Sequence, residues 1–426
     1  MARVVVGMIG LGTVGSGVVK LLADHKTISL KKVAVRDKAK AREIVPDCEL
    51  TEDARDVVND PEIEVLIEVM GGENPALELI SAAIDSGKHI VTANKEVLAK
   101  HGPALFKKAR EKEVAIFVEA SVAGGVPLIS TIQKGLEANQ IASVSGILNG
   151  TTNYILSSME QKGMDFGDAL AQAQALGFAE ADPEADVEGY DVAYKLSILT
   201  ALAFGKFVKP GDIYRKGITS ITKVDLDHAA EFGYRIKLIG SARRTPEGGI
   251  SVRVEPVLVP LSNPLSSLSG ATNGIVVRGH AVGELMMVGP GAGQLPTASA
   301  VVGDVVNLAT ALRLQDFASY FHSDIGSDWQ EVEDASSFVS PYYLRLEVED
   351  HPGVIGRIGT VFGEHQVSIL SIIQRGVASE SASVVIVTHP VVTADFEKAL
   401  AQLESEAFLK RVASRLAIFD GNNNEN

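Results

Sequence analysis

Six carboxylates and one lysine crowd residues 177–195, GFAEADPEADVEGYDVAYK. Carboxylates this close together repel one another unless a cation lies among them, and a substrate ammonium group or the lysine can be that cation. Asp191 and Lys195 are four residues apart, so on a helix they lie on one face within reach of each other. The acids are Glu180, Asp182, Glu184, Asp186, Glu188 and Asp191.

Two simpler interpretations of this stretch stay open. Its charges can be a solvated surface, and Asp191 with Lys195 can be a surface ion pair worth about a few tenths of a kcal/mol. An EF-hand calcium loop is excluded, because Val187 occupies the position that requires glycine and Pro183 interrupts the start. A partly buried lysine is favoured because its neighbours are apolar. These neighbours are Val192, Ala193, Leu196, Ile198 and Leu199.

A second lysine stands at the end of a predicted strand. His89–Ala93 has the pattern of a buried strand and Glu96–Arg110 that of a helix, so Lys95 opens the helix. A lysine at a helix start opposes the helix dipole, so a ligand explains its position better than stability does. We therefore predict a functional role for Lys95, with Thr92 at the same strand end as a cofactor contact.

A glycine-rich fingerprint, GLGTVG at 10–15, follows the apolar strand Val4–Ile9 and opens a helix. This order of strand, G-x-G-x-x-G and helix predicts a dinucleotide site. The first glycine permits the tight turn, the second lets the backbone approach a pyrophosphate, and the third lets the helix pack on the strand. The helix N-terminus then faces the phosphates. The predicted cofactor contacts are Gly10, Gly12, Thr13, Val14 and Gly15.

The end of the second predicted strand, Val33–Val35, bears on which dinucleotide binds. An NAD-binding fold usually has Asp or Glu there, hydrogen-bonded to the ribose hydroxyls. Arg36 stands at about that place, with Lys38 close by, and a guanidinium suits the 2′-phosphate of NADP. We therefore predict NADP. Asp37 keeps NAD open, and a solvated loop charge remains the simpler interpretation of Arg36.

The order of strands and helices predicts three domains. Their alternation over residues 1–130 predicts an α/β Rossmann-type domain with a doubly wound parallel sheet. Residues 131–330 are predicted to form an α+β domain for substrate binding and dimerisation, with a β stretch at 141–148 and a turn at 149–154. A polar linker precedes residues 342–420, whose order β-α-β-β-α-β predicts a ferredoxin-like module.

A second glycine-rich loop lies near the end of the middle domain. VGPGAG at 288–293 leads into apolar residues at helical spacing. The loop is weak evidence on its own, but in a dinucleotide enzyme it can close over the nicotinamide end. We expect the helix that follows, at about 297–315, to pack back on the first domain.

Composition excludes several classes of protein. A formal net charge of −15 argues against a nucleic-acid binder, which needs a basic face. The only cysteine, Cys48, excludes a disulfide framework and a cysteine zinc site. The sequence has no stretch of 18 apolar residues and no signal-peptide pattern, so we expect no membrane span and a cytoplasmic location.

The sequence resembles the homoserine dehydrogenase family, in its bacterial type with a C-terminal ACT domain. The similarity covers nearly the whole chain, and the two blocks at 149–156 and 177–196 together are highly specific. DHPGV at 350–354 is similar to the opening turn of an ACT domain. The matching blocks are GLGTVG (10–15), TANKEVLA (92–99), EASVAGGVP (119–127), NGTTNYIL (149–156) and GFAEADPEADVEGYDVAYKL (177–196).

The resemblance implies reduction of L-aspartate 4-semialdehyde to L-homoserine with NAD(P)H. It implies that Lys195 donates the proton, that Lys95 is a second active-site lysine near the nicotinamide, and that Glu180 binds substrate. It further implies substrate contacts at Asp186 and Asp191, a cofactor contact at Gly293, and a sodium-type site at Glu119, Val122, Gly124 and Val126. Ala185 departs from members that have a second Asp there, which weakens any claim for an acid pair.

The ACT-like module implies amino-acid sensing, with threonine as the inhibitor and a homodimer or homotetramer as the assembly. Two other functions compete with the dehydrogenase. An acyl-phosphate-forming aldehyde dehydrogenase needs a cysteine nucleophile in its second domain, whereas Cys48 follows the second strand of the first. A non-catalytic sensor of nucleotides and amino acids would keep the fingerprint and the module without Lys95 and Lys195.

Overall fold

The computed structural model describes residues 3–42, 44–245, 247–314, 325–378, 381–419 and 421. Within the described residues, the N-terminal domain contains a sheet of six parallel strands. They are β1 (Val4–Ile9), β2 (Ile28–Ala34), β3 (Glu49–Thr51), β4 (Val65–Glu68), β5 (His89–Thr92) and β6 (Ile116–Phe117). Their order in the sheet is β3-β2-β1-β4-β5-β6, which is the doubly wound order of dinucleotide-binding domains.

Helices cover both faces of this sheet and bury two separate apolar clusters. Strand β4 is buried at every position, as expected for a parallel strand covered on both sides. The close approach predicted at Gly15 is present, because a Cβ added there would lie 2.3 Å from the Gly10 carbonyl oxygen. The helices are α1 (Thr13–Leu22), α2 (Arg55–Val58), α3 (Ala76–Asp85) and α4 (Lys95–Glu111).

The middle of the chain forms a mostly antiparallel sheet with helices on one side. Its strands are β7 (Ile141–Ile147), β8 (Tyr214–Arg215), β9 (Tyr234–Arg244), β10 (Ile250–Pro260), β11 (Thr272–Gly279) and β12 (Gly283–Pro290). The helices of this part of the chain are α5 (Leu128–Ser130), α6 (Gly150–Lys162), α7 (Phe166–Ala175), α8 (Glu184–Val187), α9 (Tyr190–Phe204) and α10 (Lys223–Glu231), and they are followed by α11 (Gln294–Leu314), which packs elsewhere. The long hairpin of β9 and β10 was not predicted from the sequence.

The predicted turn at 149–154 is wrong, because helix α6 begins at Gly150. Asn149 is its N-cap, and the Asn149 side-chain oxygen accepts a hydrogen bond from Thr152 N at 2.8 Å. An Asn-Gly pair is typical of turns, but asparagine is also one of the best helix caps. The cap and the burial of most of the helix therefore prevail over the local turn preference.

Helix α11 returns to the N-terminal domain, as expected. It packs so closely on α1 that a Cβ on Gly17 would lie 2.6 Å from the Gln294 carbonyl oxygen. Within the described ranges, α11 alone is long and apolar enough to cross a membrane by length and composition, with a mean hydropathy of 1.3. Its apolar residues pack in the core of the N-terminal domain, which is typical of a buried core helix.

The C-terminal module has the predicted β-α-β-β-α-β order, and the predicted fold class is confirmed. Its main elements are β14 (Tyr342–Glu349), α12 (Val354–Glu364), β15 (Ile369–Ala378), β16 (Ser381–Thr388), α13 (Thr393–Glu404) and β18 (Leu409–Ile418). Two short strands, β13 (Val339–Ser340) and β17 (Val391–Val392), pair beside them. The domain limits given above stay predictions.

The module shares its sheet with the middle domain. Strand β18 pairs in parallel with β10, with Val257 opposite Ala417 and Leu258 opposite Ile418. The joined sheet runs β12-β11-β7-β9-β10-β18-β14-β16-β15 through the described residues. Tyr343 and Leu416 of the module pack in the same core as helix α9, so the two domains are continuous in hydrogen bonding and in packing.

Candidate active site

Helix α4 brings Lys95 to the carboxyl end of the parallel sheet. Asn94 caps the helix: its side-chain oxygen accepts a hydrogen bond from Val97 N (3.1 Å), and its side-chain amide donates one to the Gly72 carbonyl oxygen (2.7 Å). The cap fixes where the helix starts and thereby where Lys95 stands. The Lys95 side chain is 42% exposed and extends from the N-terminal domain to the middle domain.

Helix α9 presents two charged groups from the middle domain. Gly189 starts it in the left-handed region (φ +80°), which favours glycine. Asp191 and Lys195 lie one turn apart and are only 4% and 8% exposed. The predicted pair is formed, with Lys195 Nζ at 2.7 Å from Asp191 Oδ2. Its burial distinguishes this pair from a solvated surface ion pair.

Asp191 joins the two lysines across the domain boundary. Its Oδ1 atom lies 2.6 Å from Lys95 Nζ, and its Oδ2 atom accepts the hydrogen bond from Lys195. One buried carboxylate therefore contacts two ammonium groups, one from each domain, through its two oxygen atoms. The fingerprint domain and the acidic stretch thus contribute to one site.

Lys195 has one further hydrogen bond that fixes its direction. Its Nζ atom donates to the Leu148 carbonyl oxygen at 2.6 Å, and that oxygen also accepts from the side-chain amide of Asn273 at 3.2 Å. An ammonium group has three N–H donors. Asp191 and the Leu148 carbonyl use two of them, which leaves the third for a ligand oxygen.

The charges of the site shift one another's pKa values. Burial alone would raise the pKa of Asp191, but Lys195 and Lys95 outweigh it and lower that pKa below its ordinary value. Asp191 raises the pKa of Lys95. Burial lowers the pKa of Lys195 despite the neighbouring Asp191 carboxylate, because the buried surroundings disfavour the charged ammonium.

Asp186 and Glu180 stand at the edge of this cluster. Asp186 is half-buried, and its Oδ1 atom accepts a hydrogen bond from Asn149 Nδ2 at 2.7 Å. Burial and the nearby Asp191 raise the pKa of Asp186. Glu180 is exposed and has no ion pair within 4 Å among the described residues, but its charge contributes to the raised pKa of Lys95.

Glu184 and Glu188 point away from the lysines. They line a separate open cavity on the surface of the middle domain, together with Arg215 and Lys216. Glu188 Oε1 accepts a hydrogen bond from the Thr219 hydroxyl at 2.9 Å. Asp186 and Asp191 are thus hydrogen-bonded to residues of the lysine cluster, whereas Glu184 and Glu188 are not.

The residues predicted to bind the cofactor border a cavity of about 930 Å³ at the carboxyl end of the parallel strands. Gly10, Gly12 and Arg36 line it, and a Cβ added to Gly12 would meet no atom within 4 Å, so the fingerprint faces open space. Thr13 and Val14 begin helix α1 beside this cavity. Lys40, Arg42 and Arg55, which the sequence analysis did not single out, are further cationic groups on its wall.

The side chain of Thr92 is buried and hydrogen-bonded to other groups of the protein. Its hydroxyl donates to Glu68 Oε2 (2.6 Å) and accepts from Asn94 N (3.0 Å), and the residue is fully buried. Glu68 also accepts a hydrogen bond from Met70 N at 2.9 Å, next to the cavity wall. The side chain of Thr92 therefore shapes the strand end, and the cofactor contact predicted at this residue stays a prediction.

The predicted sodium ligands lie on one loop. Glu119 is buried, and its two carboxylate oxygens accept hydrogen bonds from Ile129 N (2.9 Å) and Ser130 N (2.8 Å). Val122, Gly124 and Val126 follow on a loop that turns at Gly124 with φ +54°. Asp304 of helix α11 accepts a hydrogen bond from Glu119 N (2.9 Å), and its pKa is well raised by burial and by the Glu119 carboxylate.

The two glycine-rich loops touch each other beside this site. Gly125 N donates to the Pro290 carbonyl oxygen at 3.1 Å, and a Cβ on Gly124 would lie 2.5 Å from the Gly291 carbonyl oxygen. Gly293 has φ +128° and lies directly before helix α11. The second glycine-rich loop therefore packs against the loop that follows Glu119.

Family models cover most of the chain. "Homoserine dehydrogenase, NAD binding domain" matches residues 10–119, "Homoserine dehydrogenase" matches 127–306, and "ACT domain" matches 342–408. A homoserine dehydrogenase of Synechocystis is 41% identical over 428 residues, which cover 97% of this chain and 99% of that protein.

The chain belongs to the homoserine dehydrogenase family.

Solved structures of the homoserine dehydrogenase family have the same fold. The crystal structure of a homoserine dehydrogenase from Thiobacillus denitrificans matches with a TM-score of 0.93 and 39% identity, over 99% of each chain. A hyperthermophilic archaeal homoserine dehydrogenase in complex with NADPH matches with a TM-score of 0.63 and 26% identity, over 73% of this chain and 98% of that one.

Membership of the homoserine dehydrogenase family decides between the competing functions. The protein is an oxidoreductase that acts on a CH–OH group and has a nicotinamide-cofactor domain. The cysteine-dependent aldehyde dehydrogenase is wrong, and the structure gives a reason. Burial, with Asp47 and Glu49 nearby, raises the pKa of the Cys48 thiol to about 11, so it is a poor nucleophile at neutral pH. The non-catalytic sensor is also wrong.

Sequence reasoning missed three polar groups of this homoserine dehydrogenase site. Asn149 donates hydrogen bonds to both Asp186 and Asp191, Glu68 holds the end of strand β5, and Asp304 lies against Glu119. Asn149 stood in a matching block, but it was assigned to a turn. Glu68 ends an apolar strand and Asp304 interrupts an apolar helix, and a lone acid in such a run is the signal that could have found them.

Proposed function

We propose that this chain reduces L-aspartate 4-semialdehyde to L-homoserine with NADPH, in the biosynthesis of threonine, methionine and isoleucine. The observation that carries the proposal is the bridge from Lys95 through Asp191 to Lys195, with Asp186 beside it. The substrate is a zwitterion with an aldehyde. Ammonium groups suit its carbonyl and carboxylate oxygens, and carboxylates suit its ammonium group.

The lysines act on the oxygen that becomes the alcohol. When bound, the nicotinamide supplies a hydride to the aldehyde carbon. Negative charge then grows on the aldehyde oxygen, and Lys195 directs its remaining N–H at that oxygen and gives it the proton. Asp191 and the Leu148 carbonyl hold Lys195 in this direction throughout. Lys95 holds the substrate from the nicotinamide side.

The acids select a substrate with a free amino group. Glu180 is exposed at the mouth of the cluster and Asp186 lies deeper, so both are assigned to the substrate ammonium. The test is NADPH oxidation, measured with aspartate 4-semialdehyde and with succinic semialdehyde, which lacks the amino group. We expect kcat/KM to be at least about tenfold higher for the amino aldehyde, because its ammonium pairs with a carboxylate. Equal values would contradict the proposed substrate.

We assign the cationic wall of the large cavity to the 2′-phosphate of NADPH. Arg36, Lys40 and Arg55 all line this cavity, and a guanidinium binds phosphate in a planar, bidentate way. Asp37 lines the same wall and suits a ribose hydroxyl, which makes use of NADH possible. Turnover measured with both cofactors is expected to favour NADPH, and a preference for NADH would reject the assignment of Arg36.

We further propose a sodium ion at the Glu119 loop. Two buried carboxyl groups, Glu119 and Asp304, lie together there, and a cation would relieve their repulsion. Carbonyl oxygens of Val122, Gly124 and Val126 would complete an oxygen-rich ligand set of the kind that hard cations take. Thermal unfolding is expected at a higher temperature in sodium chloride than in choline chloride at equal ionic strength. Equal midpoints would argue against a bound ion.

We propose that the ACT domain binds threonine and that threonine inhibits the enzyme, which is expected to be a homodimer or homotetramer. The turn before helix α12, with Gly353 at φ +97°, is the segment that resembles the opening turn of ACT domains. Asp350→Ala in this turn is expected to weaken threonine inhibition in the NADPH assay. Asp395→Ala, which changes a half-buried acid in the first turn of α13, is the matched control. Unchanged inhibition in Asp350→Ala would remove this turn from the effector site.

A further inference from the structure

Asn149 has its whole side chain engaged at the centre of the acidic cluster. It is buried, and its Oδ1 atom accepts hydrogen bonds from Thr152 N (2.8 Å) and the Thr152 hydroxyl (3.0 Å). Its Nδ2 atom donates to Asp186 Oδ1 (2.7 Å) and to Asp191 Oδ2 (2.8 Å). Because Thr152 N needs an acceptor and the carboxylates need donors, only one orientation of the amide satisfies all these partners.

The amide nitrogen lies between two carboxylates that otherwise repel each other. Asp186 has no lysine within 4 Å among the described residues, and Asn149 is the donor that the structure gives to its carboxylate. Asp191 in turn uses the same oxygen atom for Asn149 and for Lys195. A displaced Asp191 would therefore change the direction of Lys195, because the Leu148 carbonyl alone does not fix an ammonium group.

We propose that Asn149 is a positioning residue for the reaction: its two amide hydrogens tie Asp186 to Asp191, so that one carboxylate faces the substrate ammonium while the other orients both lysines. This inference rests on the proposed reduction of the amino aldehyde. Asn149 touches neither substrate nor cofactor in this assignment, and it acts through the two acids.

Two substitutions separate this role from helix capping. Asn149→Asp keeps an oxygen for Thr152 N but replaces the donating amide by a third carboxylate, and Asn149→Ser keeps a capping oxygen and has no amide. Both are expected to fold and to lower kcat/KM for aspartate 4-semialdehyde by about tenfold or more, because hydrogen bonds to charged groups are lost. Asn263→Asp is the control, since Asn263 caps a short helix by accepting from Leu265 N at 3.0 Å, away from the lysines.

The pH profile supplies a readout that a structural role would not move. The charged groups that face Asn149 are Asp186 of α8 and Asp191 and Lys195 of α9, with Lys95 of α4 beyond them. In Asn149→Asp the added carboxylate disfavours ionisation of Asp186, so the acid limb of kcat/KM is expected to move up by about one pH unit. Asn149→Ser adds no charge but removes the amide hydrogen bond that lowers the pKa of Asp186, so its acid limb is expected to move up by less than that of Asn149→Asp.

The inference is overturned if either variant keeps kcat/KM within twofold of wild type, or if the acid limbs of the two variants coincide. The thermal unfolding midpoint of each variant is measured alongside, and kcat/KM is expressed per folded molecule. A folding defect is then recognised by a lowered midpoint and is not counted as a loss of activity. Failure of the proposed function is a separate result: the unaltered chain would then not oxidise NADPH with aspartate 4-semialdehyde at all.

Discussion

Lys195→Ala is expected to lower turnover by about a hundred- to a thousand-fold at saturating NADPH. Removal of one preorganised donor from a developing oxyanion typically has an effect of about this size. In the proposed reaction Lys195 Nζ is the donor, and the structure is consistent with this role because the lysine is buried and Asp191 and the Leu148 carbonyl fix its direction. The measurement is NADPH oxidation with aspartate 4-semialdehyde, with NADPH affinity measured separately by fluorescence.

A second buried lysine serves as the control for Lys195. Lys88 is also buried and donates to the carbonyl oxygens of Asp60 and Ile63, but it precedes strand β5 at the opposite end of the sheet. Lys88→Met is expected to cost stability and to leave turnover per folded molecule unchanged. A fall of less than about tenfold in Lys195→Ala would show that another group donates the proton.

Asp191→Asn is expected to lower turnover by at least about a hundredfold and to destabilise the protein by about 3 kcal/mol. Removing one member of a buried ion pair leaves the other charge uncompensated, which typically costs about 3–5 kcal/mol. Asp191 has two such partners, Lys95 and Lys195, and the exposure of Lys95 places the estimate at the lower end. Urea unfolding and the NADPH assay measure the two effects.

The pH dependence of Asp191→Asn has a definite sign. The folded pKa of Asp191 lies below its unfolded value of about 3.9, so the carboxylate stabilises the protein above that pH and loses this contribution as the pH falls through the folded value. The stability gap between wild type and variant should therefore narrow in acid. Without Asp191 the pKa of Lys195 falls further, so the alkaline limb of turnover moves to lower pH.

A neighbouring acid is the control for Asp191. Asp182→Asn changes an exposed carboxylate of the same stretch, whose Oδ1 atom accepts only from Glu184 N at 3.2 Å among its described contacts. It should leave turnover and stability close to those of wild type. If both variants lost activity alike, the total charge of the stretch would matter and the bridge between the lysines would not.

Local patterns were sufficient to predict much of the fold and the centre of the site. The fingerprint follows β1 and opens α1, and Asp191 and Lys195 meet across one turn of α9, because these relations depend on residues that are near in sequence. The contact between Lys95 and Asp191 could only be suspected, since it joins residues 96 positions apart and depends on how two domains pack.

What the sequence did not predict depends on tertiary context. Helix α6 forms where Asn-Gly suggests a turn, because capping and burial outweigh the local preference. The acids of 177–195 look alike in sequence, yet Asp186 faces the lysines and Glu184 and Glu188 face a different cavity. This division depends on the turns of the short helix α8 and cannot be seen from charge alone.

The parallel pairing of β10 with β18 has a consequence for engineering the enzyme. A domain on a flexible tether can be exchanged as a unit, whereas the C-terminal module pairs its strand β18 with β10, the edge strand of the middle domain's part of the shared sheet. Cutting the chain before β14 would bare the edge of β10 and the apolar surface under Tyr343 and Leu416, which is a template for aggregation. Under the proposed threonine inhibition, variants that escape it should therefore be sought through point substitutions that leave the shared sheet intact.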